Sequence, residues 1–423
     1  MIHRRYKTSY AMWKDAERYV VPASSLIAKD PHLFTYGAYP IYLAEGNGAR
    51  VRDVDGHWYT DFQSSLGPAI LGIAYPAVDA AVMRQLHHGV LFSLLHPLQN
   101  DLAKIVCDLV PCAERVRIFK TGSDATTGAV RIARACTGRD MIVSCHFHGW
   151  HDWYYATTSM NRGIPASVRK DIIEFTYNDS EGLEKILRAH KGTVAAVIME
   201  PVHLDPPRRG FLKQVQSLAH RHGALLIFDE VVTGFRFSVG GAQEYFGVTP
   251  DLACFAKAIA NGLPLGIVAG KKHIMDNTRD VITSTTFSED ALAIAAAIAT
   301  LKELRRRPVI AHIWRMGAEF QNGFNALATQ YAIPVVCAGF PPRLELSFSD
   351  YRGRKRLEIK AYFLQESAKR GVLFGNAIFM NYAHTRSDIK KALRICEEIF
   401  RTLADAHLGK RLVLEGEPTQ ELW

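Results

Sequence analysis

The sequence predicts an α/β fold built on a mostly parallel sheet, and three observations carry the prediction. Short apolar runs at 115–119, 141–145, 172–175, 194–199, 224–229, 252–255 and 266–269 alternate with helix-length segments such as 124–136 and 209–222. That alternation is the signature of strand-helix-strand units, here enough for seven strands. Runs such as Thr193–Met199 and Ala224–Phe228 are continuously apolar, as strands buried on both faces require. Finally, 423 residues with 48% hydrophobic content can bury a large core, and a chain of this length divides into a larger and a smaller domain.

In chain order, residues 1–75 mix a helical start with short strands, with Gly46, Gly48 and Gly56 marking hairpin-like turns. We read this stretch as an N-terminal segment joining the small domain. Residues 76–305 form the large α/β domain, which holds all seven candidate strands. From Glu289 an alanine-rich stretch reads as a long helix leading out of it. Residues 306–423 then read as a smaller α+β domain with strand-like Pro342–Phe348 and Ala377–Tyr382. No internal repeat, low-complexity linker or separate DNA-binding module interrupts this plan, and Leu412–Trp423 matches no element type.

The formal charge of +9 is dispersed, apart from short groups at Lys302–Arg307 and Arg352–Arg356. A dispersed excess reads as solvated surface that helps attract an anionic cofactor or substrate, with no nucleic-acid partner implied. No apolar run approaches the ~18 residues of a membrane span, and Met1–Lys7 lacks the apolar core of a secretory signal. The expectation is a soluble, cytoplasmic chain. Seven scattered cysteines, mostly in apolar segments, read as reduced, buried thiols.

Three elements carry chemistry. Lys257 lies among small apolar residues 28 positions after Asp229, a setting that suits an amine kept partly desolvated so that it condenses with an aldehyde. Taken alone, it also reads as a surface lysine beside an apolar helix. Asp229 closes the Ala224–Phe228 run, so its carboxylate is expected at the carboxyl edge of a buried strand, where open α/β sheets bind ligands, although strand-end acids also cap helices. Thr121-Gly122-Ser123-Asp124 ends one strand and opens a helix, where free N–H groups, the Ser123 hydroxyl and the positive helix end favour a phosphate. The same turn also reads as a plain cap.

Together these elements resemble the class III, or ω-type, aminotransferase family of pyridoxal 5′-phosphate (PLP) enzymes, near its glutamate-1-semialdehyde 2,1-aminomutase branch. The likeness runs in order through Gly48–Phe62, Ser65–Pro76, Thr121–Thr126 with Arg131–Arg139, Phe147-His148-Gly149, Val197–Val202, Phe228–Arg236, the Lys257 run and Thr286-Phe287-Ser288. It implies PLP fold type I, the aspartate aminotransferase-like arrangement. Residue by residue, it implies that Lys257 holds PLP as a Schiff base and then moves the proton, and that Asp229 keeps the pyridine nitrogen protonated. Gly122 and Ser123 would bind the phosphate, joined by Thr286 of the partner subunit, so the site would be shared across a homodimer. Phe147 and Val231 would hold the two ring faces, although each alone reads as core or strand filler. His148 belongs to the Phe-His-Gly pattern and is implied to be a cofactor-binding residue, and no matching cysteine or carboxylate spacing makes it a metal ligand. Glu200, at the end of another apolar strand, is implied to lie at the cofactor too, where it would face the substrate side or organise local loops.

The sequence departs from the family in three places. Leu373–Met380 carries neither the arginine that takes an α-carboxylate nor the aminomutase branch's acid; Glu289-Asp290 replaces a glycine-containing pair after Thr286; and Val232 stands where many ω-aminotransferases have glutamine. The expected activity is transfer of an amino group from a small-molecule amine donor to a carbonyl acceptor. The alternatives are an intramolecular aminomutase and a PLP-binding regulator without turnover.

Overall fold

The computed structural model describes residues 4–21, 25–278, 280–406 and 412–421. The chain forms two compact units, a continuous one from Pro76–Ile310 and a discontinuous one from Met1–Tyr75 with Ala311–Trp423.

The discontinuous unit opens with helix α1 (Lys7–Ala16) and an antiparallel meander of β1 (Leu43–Asn47), β2 (Arg50–Asp53) and β3 (Trp58–Asp61). Gly48 and Gly56 supply the positive φ angles, 59° and 92°, at the two turns. Gly46 does not turn the chain as the sequence suggested. It lies within β1 opposite Val51, and a Cβ there would come 2.9 Å from Ile73 Cδ1, so the glycine serves close packing.

The continuous unit begins with α2 (Pro76–His88) and α3 (Leu98–Leu109). There follow β4 (Arg115–Phe119), α4 (Gly122–Thr137), β5 (Met141–Cys145), β6 (Ile172–Glu174), α5 (Ser180–Ala189), β7 (Val194–Met199), α6 (Phe211–Arg221), β8 (Leu225–Asp229), β9 (Leu252–Phe255), β10 (Gly266–Gly270) and α7 (Ala291–Arg306). The seven strands form one sheet in the order β4-β10-β9-β8-β7-β5-β6. Only β10 runs against its neighbours, pairing antiparallel with β4 and β9. β7 is buried at all six positions, and Ile132 of α4 packs with Ile198, Ile227, Leu252 and Val268 of the strands. This two-sided burial is why these strands read as unbroken apolar runs.

Register places the chemistry. Cys145 pairs with Met199, Met199 with Phe228, and Asp229 with Cys254. His146 and Glu200, which follow the ends of β5 and β7, and Asp229, which ends β8, therefore stand side by side at the carboxyl edge.

The helix α8 (Val309–Gln330) carries the chain back to the discontinuous unit, which continues with β11 (Val335–Phe340), β12 (Arg343–Phe348), α9 (Arg356–Lys369), β13 (Val372–Leu373), β14 (Ala377–Phe379) and α10 (Arg386–Asp405). Strands β11, β12 and β14 form an antiparallel sheet, while β13 extends the first meander by pairing parallel with β3. β14 stops at Phe379, short of the expected Tyr382, because the Tyr382 N–H leaves the ladder to bond Ile70 O at 2.8 Å. Among the described residues no helix is long and apolar enough to cross a membrane.

Candidate active site

Asp229 is the last residue of β8 and is buried. Its Oδ2 lies 2.8 Å from Nδ1 of His148, also buried, and its Oδ1 accepts from Val231 N at 3.0 Å. Two fixed donors hold the carboxylate in one orientation while leaving lone pairs for a further partner. With Nδ1 donating to the acid, the Nε2 of His148 is left buried and meets no partner among the described residues. A buried polar atom without a partner in a polar loop is the mark of a site that expects a ligand.

The loop carrying His148 is laced to the start of α4. Thr126 Oγ1 donates to His148 O at 2.7 Å, Trp153 Nε1 donates to Thr127 Oγ1 at 2.8 Å, and His151 Nδ1 lies 2.7 Å from the same hydroxyl. At the helix start Thr121 and Asp124 form a capping box, with Asp124 N bonding Thr121 Oγ1 and Thr121 N bonding Asp124 Oδ2. That reciprocal cap leaves the first-turn N–H groups of Gly122 and Ser123 for something outside the helix. Space there is tight. A Cβ on Gly122 would meet Val231 Cγ1 at 3.0 Å, and one on Gly149, at φ 99°, would meet Ser123 Oγ at 2.4 Å.

Lys257 opens a short 3₁₀ turn directly after β9, at a φ of 34° that a lysine rarely adopts. Such backbone strain persists only where surroundings impose it. Val231 is half-buried against the sheet core, whereas the Phe147 ring is 54% exposed, with edge contacts to Tyr154 and Tyr155. Thr286 is different: it stands exposed on the turn after Thr283. No hydrogen bond among the described residues ties it to Gly122 or Ser123. The Glu289-Asp290 pair that replaces the glycine-containing family sequence has a local role, since Asp290 caps α7 through Leu292 N at 2.9 Å and pairs with Lys120 Nζ.

Glu200 is buried beside this row, and its partner is a histidine: His203 Nδ1 lies 3.3 Å from Oε1. The His146 ring, on a backbone with φ 73°, stacks on His203 at 5.2 Å between centroids. Burial pushes the Glu200 carboxyl up, but the His203 bond and the charges of His203, His146 and His148 outweigh it and hold it below the usual range. Sequence reading found Glu200 and missed this pair of histidines, although His203 three residues on was the available signal. It also missed His148 as the partner of Asp229, which no spacing could reveal.

A helix start with unsatisfied N–H groups, a buried carboxylate with spare lone pairs and a lysine amine two positions past the neighbouring strand form a donor set that fits a phosphorylated pyridine aldehyde. The family pattern described as Aminotransferase class-III matches residues 35–377. The chain belongs to the class-III aminotransferase family. It is 36% identical over 407 residues to the 3-aminobutyryl-CoA aminotransferase of Cloacimonas acidaminovorans, covering 92% of this chain and 96% of that relative. It is 34% identical over 385 residues to the glutamate-1-semialdehyde 2,1-aminomutase of Acetivibrio thermocellus, covering 84% and 90% of the two chains. Among solved structures, the FumI protein of Sphingopyxis sp. MTA144, determined with PLP as an internal aldimine, superposes with a TM-score of 0.90 at 27% identity over 98% of this chain and 99% of that one. This class-III aminotransferase is accordingly a PLP-dependent enzyme of fold type I.

Proposed function

We propose that this class-III aminotransferase acts as a cytoplasmic homodimer, taking nitrogen from a small amine donor through Lys257 and delivering it to a carbonyl carbon that bears no free α-carboxylate. The observation that carries the site assignment is the buried His148–Asp229 pair at the end of β8, one strand away from Lys257. When bound, PLP supplies an aldehyde to take the nitrogen and a pyridine ring to take up the electron pair released at the substrate carbon. Gly122 and Ser123 bind the phosphate end. Asp229, oriented by His148 and Val231 N, keeps a proton on the ring nitrogen. Lys257 would hold the aldehyde end through Nζ, and the same amine would be the base that moves the proton at the substrate carbon. Val231 and Phe147 fix the ring plane between them.

Support for the dimer comes from a cavity of about 540 Å³ rimmed by Phe92, Leu94, Thr285 and Thr286. Leu94 and Phe92 there are 84% and 48% exposed, an apolar patch that a second copy would cover, bringing Thr286 of the partner subunit to the phosphate. Free cysteines, five of the seven buried, fit a reducing compartment. The absence of arginine and acid from Leu373–Met380 supports an acceptor without an α-carboxylate, and the relative named for 3-aminobutyryl-CoA handles an amine beside a thioester. The aminomutase reading is favoured by Ser65–Pro68, by Val232 and by relatives such as the Acetivibrio enzyme. Absorbance of the PLP-loaded protein during stoichiometric addition of glutamate, alanine or 4,5-diaminovalerate separates the two. Lasting bleaching with release of the donor's oxo product is the expected result, whereas transient bleaching that returns an isomerised amine establishes the aminomutase. A Lys257→Ala variant that still forms the visible band on PLP addition overturns the lysine assignment.

A further inference from the structure

The C-terminal segment that resists assignment from sequence has a defined course up to Glu421; Leu422 and Trp423 lie outside the described residues. It runs along α9 and the 32–38 stretch, with Gln365 Nε2 donating to Val413 O, Glu415 N to Gln365 Oε1, Glu417 N to Tyr36 O and Gln420 N to His32 O. Its end, Gln420-Glu421, forms part of the rim of a cavity of about 550 Å³ in the discontinuous unit. That volume is within the range of small-molecule sites. Phe34, Phe348 and Leu357 supply an apolar wall, and Gln63 and Asn376 supply amide groups.

Lys360 lines the same cavity and is only 7% exposed. The local charges are already matched without it. Arg356 Nη2 holds Glu421 at 2.8 Å, and Arg343 Nη2 stands 3.5 Å from Glu345. No hydrogen bond or ion pair from a described residue reaches the Lys360 ammonium. Burial pulls it down to about 8, with Glu421 and Glu345 opposing from farther off. The stem of Lys360 is buried while its ammonium keeps access to the cavity, so the acceptor for this cation has to come from whatever occupies that space.

We propose that this cavity binds a small monocarboxylate with an apolar body, the carboxylate accepting from Lys360 Nζ and the body lying on the Phe34, Phe348 and Leu357 wall beneath the C-terminal strap. A single unmatched cation selects a monoanion over a dianion, since the neighbouring Glu345 and Glu421 repel a second charge. None of the residues proposed to hold PLP lines this cavity, so the inference stands whether or not their assignment does.

Calorimetric titration of the full-length, PLP-loaded protein with sodium hexanoate and with hexanamide tests it. Hexanoate is expected to bind saturably and at least about tenfold more tightly than the neutral amide, the value of one charge-assisted hydrogen bond. Lys360→Met is expected to abolish that preference; if it does not fold, Lys360→Gln is used in its place. Absence of saturable hexanoate binding, equal affinity for acid and amide, or a preference that survives loss of the lysine overturns the proposal.

Discussion

Replacing Asp229 by asparagine tests the proposed role of the β8 end most directly. The side chain keeps its size, and an amide oxygen can still accept from one of the two donors now fixed on the carboxylate, His148 Nδ1 at 2.8 Å or Val231 N at 3.0 Å. What disappears is the negative charge facing the ring nitrogen. A charge-assisted hydrogen bond contributes about 1.5–3 kcal/mol against about 1 for a neutral one, and both groups here are shielded from water. The difference of about 0.5–2 kcal/mol in the transition state corresponds to a fall of between about twofold and about thirtyfold. The assay is single-turnover bleaching of the visible band on mixing PLP-loaded protein with an amine donor, with cofactor content measured on the same sample. An Asp229→Asn rate within about twofold of wild type at full cofactor occupancy would refute the reasoning. Reconstitution with N-methyl pyridoxal phosphate, whose ring nitrogen carries a fixed positive charge, should restore much of the lost rate. A variant that had merely lost its fold would not respond to that substitution.

Gly149→Ala should weaken PLP retention about tenfold in dialysis or ultrafiltration, because its Cβ meets Ser123 Oγ at 2.4 Å and the φ of 99° adds about 1–2 kcal/mol of strain. Phe92→Asp together with Leu94→Asp should break the proposed dimer into monomers in light scattering, since each apolar side chain is worth about 1.5–3 kcal/mol when covered, and PLP should leave with the partner subunit. His384 and Asp61 should give opposing pH effects on stability in the discontinuous unit. Burial lowers His384 to about 4, so the unfolded chain binds the extra proton and stability falls as pH drops from about 6.5 to 4. Burial raises Asp61 to about 6, so the folded chain binds the extra proton, and this contribution is lost as pH rises from about 4 to 6. The two slopes, about 3 kcal/mol each over similar windows, nearly cancel. Denaturant titrations of His384→Gln should therefore show stability increasing towards pH 4, and a wild-type-like flat profile in that variant would contradict the pairing.

The sheet was legible because burial on both faces leaves an unbroken apolar run, as in Thr193–Met199, and because a helix start announces itself through Thr121 and Asp124 three residues apart. Lys257, Asp229 and Gly122-Ser123 were legible for a related reason: each ends or begins such a run, and the ends of strands and helices are where unsatisfied groups collect. The histidines around Glu200 were not, because their meeting depends on β5 and β7 lying side by side in one register. Gly46 misled because a glycine that permits close packing looks the same in sequence as one that turns the chain. The end of β14 misled because the bond from Tyr382 to Ile70 joins segments more than 300 residues apart.

That distinction bears on how the site is assembled. His148 reaches Asp229 only because its loop is bound to α4 through Thr126 and Thr127, and α4 begins at the glycine that packs on Val231, two residues past Asp229. The start of α4 and the end of β8, proposed to hold the phosphate and the ring nitrogen, are thus parts of one packed network. In such a network substitutions at the two ends should not be additive. The Gly149→Ala and Asp229→Asn changes, combined, should lose less PLP affinity than the product of their separate effects, since displacing Ser123 already loosens the loop that orients the acid. Strict additivity in that double-mutant cycle would show that the helix start and the strand end grip the cofactor separately.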